Sequence, residues 1–126
     1  MGRRQTLKTK EEMREWLQKQ PSDTRYCKCL IRQLDLFRNE YSEEPELWGY
    51  AVIDDPYKAM RMFSKAIDEG LDGPLNYGYM MVEQYTVVEG EDGKKHGFRI
   101  ATYVNDFGKW KSWGQFRIDH KIQTAS

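Results

Sequence analysis

Ser22-Asp23-Thr24-Arg25-Tyr26-Cys27-Lys28-Cys29-Leu30-Ile31-Arg32-Gln33-Leu34-Asp35-Leu36-Phe37, continuing to Tyr41, is the stretch on which the fold turns. Tyr26, Leu30, Leu34, Phe37 and Tyr41 recur at three- and four-residue spacing, with Cys27 and Ile31 beside them. That period predicts one long helix with a broad apolar stripe, starting near Ser22 or Asp23. Cys29 and Leu36, seven apart, fall on the far side of the same helix. A helix apolar on two faces packs between layers or offers its second face to another molecule, so Cys29 and Leu36 are candidate partner contacts.

Towards the N-terminus, residues 1–8 read as a flexible basic arm, polar and without the apolar core of a signal peptide. Thr9-Lys10-Glu11-Glu12 has the spacing of a capping box. Met13, Trp16 and Leu17 then give a short helix that stops before Pro21. Towards the C-terminus, residues 43–53 suit helix or strand equally, with Gly49 weakening both. Asp55 is a good N-cap, and Pro56 fits the first helical position, where its missing N–H costs nothing. Ala59, Met60, Phe63, Ala66, Ile67 and Leu71 form the core face of that helix, with Gly70 ending it.

After Gly73-Pro74 the apolar period changes from 3.6 to 2. Residues 78–89 predict a strand, and Asp92-Gly93 supplies the positive φ of a hairpin turn. Phe98, Ile100, Thr102 and Val104 mark the inner face of a second strand; Trp110, Phe116 and Ile118 mark that of a third. The expected fold is α+β, a single domain over residues 1–126. A helical part at 9–72 supplies three or four N-terminal helices, packed on one face of a three-stranded antiparallel C-terminal sheet. That sheet is a β meander over 75–119.

The composition bounds the function. A hydrophobic fraction of 39% with four Trp, eight Tyr and five Phe supports a packed core and argues against disorder. Twenty basic and twenty acidic side chains cancel, so no global field draws the chain to DNA or an anionic membrane. The charge is uneven, however: residues 1–40 and 93–126 carry basic surpluses of four and five, and residues 41–73 an acidic surplus of five. No apolar run approaches the roughly 18 residues that span a bilayer, so no membrane role is expected. Two cysteines one residue apart suit a reducing, cytoplasmic compartment.

Catalytic motifs are thin. Cys27, Cys29, His96 and His120 could make a two-Cys, two-His zinc set, but paired zinc cysteines usually stand two to four residues apart. The expectation is no metal and no cofactor. Residues 90–97 hold the glycines and lysines of a phosphate cradle, yet lead into a strand instead of a helix N-terminus. Ser42, Ser64 and Ser112 lack a strained strand–turn–helix context. Glu83 is the acid expected to face a sheet-lined cavity, near Tyr77, Tyr79 and Tyr85.

What remains is a basic-aromatic strip. With even positions of the second strand inward, Arg99 and Tyr103 face out, and Lys109, Lys111, Trp113 and Arg117 follow on the third. Tyr and Trp among cations anchor protein interfaces and also stack nucleic-acid bases. The leading expectation is a small intracellular binding protein that is not an enzyme. It would be an inhibitor or adaptor acting on a larger protein or nucleoprotein complex, of the kind mobile genetic elements encode. Its contacts would be Arg99, Tyr103, Lys109, Lys111, Trp113, Arg117, Cys29 and Leu36. Two alternatives stay open. One is single-stranded nucleic-acid or nucleotide binding on that sheet face. The other is a small enzyme or ligand-binding, cone-shaped α+β domain around Glu83.

Overall fold

The computed structural model describes residues 6–7, 9–32, 34–35, 40–41, 46–68 and 79–121. The elements run β1 (Thr6–Leu7), α1 (Lys10–Gln18), β2 (Arg25–Arg32), β3 (Leu34–Asp35), β4 (Glu40–Tyr41), β5 (Glu46–Ala51), α2 (Pro56–Asp68), β6 (Tyr79–Glu89), β7 (Lys95–Asp106), β8 (Lys109–Ser112) and α3 (Trp113–Asp119). One antiparallel sheet dominates, in the order β1-β5-β2-β6-β7-β8. Five of its strands have four or more residues, and the two-residue β1 lies at the rim. β3 and β4 pair separately.

The fold is α+β, but the expected three or four N-terminal helices on a three-stranded sheet do not form. In the stretch 22–41, expected to be a helix, the described residues instead form the central strand β2 and the short strands β3 and β4, and Leu36 lies outside the described residues. The reason is burial on both sides. Cys27, Cys29 and Ile31 face one layer while Tyr26 and Leu30 face the other, and all five are buried. A strand covered on both faces reads as a continuous apolar run, and such a run also contains helical spacings. Residues 46–51 resolve the ambiguous segment as a strand. The N-terminal arm is corrected in part: Thr6–Leu7 pair with β5.

The elements placed correctly owe their positions to local chemistry. Thr9 accepts a hydrogen bond from the Glu12 amide at 3.1 Å, starting α1. Asp55 Oδ1 accepts from the Tyr57 amide at 2.9 Å beside Pro56, starting α2. Gly93 turns the β6–β7 hairpin at φ 77°. The third predicted strand is cut short: Ser112 accepts from the Gln115 amide at 3.2 Å and caps α3. Ser112-Trp113-Gly114-Gln115 is a capping-box spacing legible in the sequence, masked by the aromatic alternation around it.

α2 covers one face of the sheet. Its Ala59, Met60 and Phe63 meet Cys27, Cys29, Ile31 and Val82. Among the described residues, the helices on the other face cover its two ends. α1 lays Met13 and Leu17 over Tyr26, Tyr50 and Val87. α3 lays Phe116 over Leu30, Met81 and Val104. The strip of sheet between α1 and α3 is left as a groove. Among the described residues, no helix is long and apolar enough to cross a membrane.

Candidate functional site

The floor of the groove is a polar row between two apolar ones. Tyr50, Lys28, Glu83 and Thr102 stand opposite one another on β5, β2, β6 and β7. Directly opposed side chains lie about 4.5–5.5 Å apart at Cβ, so these four form one transverse line. On the α1 side, Tyr26 and Tyr85 stack with ring centroids 5.3 Å apart and planes 7° off parallel. On the α3 side lie Leu30, Met81 and Val104.

A bulge brings a cation into this row. Gln84 is opposite Ala101 and Tyr85 is opposite Arg99, which leaves Ile100 as an extra residue. The alternation therefore shifts: Arg99 points to the groove with Thr102, whereas Tyr103 and Ala101 stay on the α2 side. Bulges of this kind re-aim a side chain near a sheet edge. The Arg99 guanidinium donates to Glu83 Oε2 at 3.1 Å, and the Tyr85 hydroxyl donates to Glu83 Oε1 at 2.8 Å. Glu83 is only 4% exposed, so these bonds hold a carboxylate that would otherwise be costly to bury.

Above the floor is a cleft of about 200 Å³ lined by Arg32, Met81, Glu83, Arg99, Thr102 and Trp113. Arg32 and Arg99 line it beside Glu83, and Lys28 stands opposite Glu83 on the floor. Burial pushes the Lys28 ammonium down from its ordinary value; Glu83 raises it, and Lys10 and Arg32 lower it further. Burial likewise raises the Tyr85 phenol, helped by its hydrogen bond to Glu83, so it keeps its proton and stays a donor. Burial carries Tyr26 up to about 12. The cleft is thus a half-dry pocket that sets two arginines beside a fixed carboxylate.

The expected contact residues separate. Arg99 and Trp113 reach this cleft. Tyr103 lies on the opposite face against the α2 core, its ring 5.9 Å from that of Tyr57. Lys109 is exposed at the start of β8. Lys111 is tied to Asp106 Oδ2 at 2.9 Å and to Asp119. Arg117 is half-buried on α3. Cys29 is fully buried in β2 beneath α2, not on a spare helix face, and Leu36 lies outside the described residues. A continuous strip on one face is not formed, because the Ile100 bulge and the turn into α3 each break the alternation. Sequence reading missed Lys28, Arg32 and Thr102. The signal was the alternation Tyr26, Lys28, Leu30, Arg32, legible once that stretch is taken as a strand.

Among the described residues no group of three or more His, Cys, Asp or Glu side chains gathers to hold a metal. His96 is 3.2 Å from Asp92 in the hairpin, and His120 is 2.9 Å from Asp106 below α3. Compared with protein-family models, with curated proteins and with solved structures, the chain matches none.

Proposed function

We propose that this is a non-catalytic binding protein whose groove captures an oxyanion of phosphate type. The observation that carries the reading is the placing of two arginines, Arg32 and Arg99, in the cleft lining beside buried Glu83, with Lys28 opposite Glu83 on the groove floor. Arginine forks match oxyanions through paired hydrogen bonds, and Glu83 fixes one of those forks in place. Size supports a small group. Clefts for drug-sized ligands run to roughly 300–1,000 Å³, whereas this one holds about 200 Å³. A cytoplasmic location goes with this reading, since Cys27 and Cys29 sit as buried thiols on one strand. A phosphate carried by a larger protein or nucleoprotein would make the chain the inhibitor or adaptor that its sequence suggests.

Titration of the purified protein with inorganic phosphate, followed by calorimetry and by amide shifts at Lys28 and Glu83, tests this. Arg32→Gln should weaken binding at least tenfold, equivalent to about 1.4 kcal/mol. Glu83→Gln should tighten it several-fold, because it removes a carboxylate that repels the ligand from the cleft lining. A general base or a cation receptor would respond to Glu83→Gln in the opposite sense, and that outcome would end the proposal. The pair Glu83→Gln with Arg99→Gln removes both partners of that ion pair and serves as the folding control. Comparing adenosine monophosphate with phosphate in the same titration reads whether Trp113 on the cleft wall adds a base contact outside the phosphate cleft.

A further inference from the structure

β7 is longer than its outer neighbour. β8 pairs with Tyr103 to Asp106, so among the described residues the outer edge of residues 95–102 faces no strand. Residues 96–100 are exposed in succession, with Phe98 61% and Ile100 42% exposed. One rung of this edge is already occupied in an informative way. The Gln18 side chain accepts from the Lys95 amide at 3.0 Å and donates to the Lys95 carbonyl at 2.9 Å. A side-chain amide there copies the two bonds that a peptide group of a neighbouring strand would make. The edge is therefore competent to pair, and the rung plugged by Gln18 is its first.

The two faces of the edge differ in chemistry. Lys95, Gly97 and Arg99 lie on the groove side and His96 and Phe98 on the other, as their partners Val87 and Tyr85 against Val88 and Thr86 show. Residues 94–102 carry three basic side chains and no acidic one. A second copy of the chain pairing here would set Lys95 and Arg99 beside their own counterparts, and like charges opposed across strands are destabilising.

We infer that the β7 edge accepts an extended segment of another protein as an added strand, one whose side chains alternate acidic and apolar. Its acids lie beside Lys95 and Arg99, and its apolar residues extend the surface of Phe98 and Ile100. Main-chain bonds supply affinity and the alternation supplies choice of partner. The inference rests on the edge and not on phosphate capture, and its test keeps the two apart.

The probes are a blocked eight-residue peptide alternating glutamate with valine and its lysine-for-glutamate analogue, each titrated into isotope-labelled protein. The glutamate peptide should shift the amides of residues 97–102, slow their hydrogen exchange and bind at least tenfold more tightly than the lysine peptide. Phe98→Asp should lower that affinity at least tenfold and Phe98→Leu should keep it, with phosphate binding in the groove unaltered by either. Three results would overturn the inference. They are equal binding of the two peptides, shifts at Lys28 and Glu83 without protection of the edge, and a dimer of the protein alone with the edge protected.

Discussion

Gly97 shows how a single exposed position can govern a buried layer. A Cβ built there would stand 1.9 Å from the Tyr26 hydroxyl and 3.1 Å from its ring carbon Cζ. The ring cannot simply swing aside, because it is 5% exposed, stacked on Tyr85 and packed edge-on against Trp16 at 5.6 Å. Gly97→Ala should therefore cost about 1–3 kcal/mol, as overpacking does, seen as a lower urea midpoint. Gly114→Ala in α3 meets nothing within 4 Å and should instead gain up to about 1 kcal/mol from helix propensity. Nothing in the sequence announces the first effect: Gly97 and Tyr26 meet only through the β2–β6–β7 register. Trp110 is the more legible case. Its alternation predicted an inward side chain, and its indole N–H indeed donates to Ser64 of α2 at 2.9 Å.

Among the elements, α3 depends most on charge. Lys111 bonds Asp106 and Asp119, His120 reaches the same Asp106 oxygen, and Gln115 donates to Asp119 at 2.8 Å. Burial pushes the Asp106 carboxyl up, but the hydrogen bonds from Lys111 and His120 outweigh it and hold it below the ordinary value. Hydrogen bonds from Lys111 and Gln115 hold Asp119 down as well, and those two aspartates in turn hold Lys111 above its ordinary value. A lowered carboxyl stabilises the fold above its unfolded pKa, and the contribution is lost as pH falls through the folded one. Melting temperature should thus be level through neutrality and drop below about pH 4, the unperturbed aspartate range. The raised lysine adds a second decline above about pH 10.4. Asp106→Asn should cost about 1–3 kcal/mol near pH 7 and flatten the acid limb; an unchanged limb would remove this account of α3. The sequence disclosed α1, α2 and the β6–β7 hairpin because a cap, a proline and a glycine fix them locally. It concealed β2 and α3, where long-range cover from both layers and a turn out of the sheet decide the outcome.

For the whole molecule, the zero net charge hides a local imbalance. The groove sets Arg32 and Arg99 beside one carboxylate, so the proposed attraction to an oxyanion would act at short range and not as a field over the entire surface. Binding to the native state alone stabilises it by mass action. Phosphate at a hundredfold excess over its Kd should therefore add about 2.7 kcal/mol to unfolding free energy. The gain should shrink as sodium chloride is raised, since the cleft is open to screening ions. No rise in melting temperature at any phosphate concentration would leave the groove without its ligand. The bulge has a consequence for chain length as well. Between the pairs Gln84–Ala101 and Val87–Gly97, β6 spends two residues and β7 three. Deleting any one of Phe98, Arg99 or Ile100 would restore an unbroken ladder of the same length. Loss of Ile100 would keep the guanidinium over Glu83. Loss of either other residue would put an isoleucine there. Three shortened proteins with the same backbone pairing would thus divide by whether their pocket is charged or greasy.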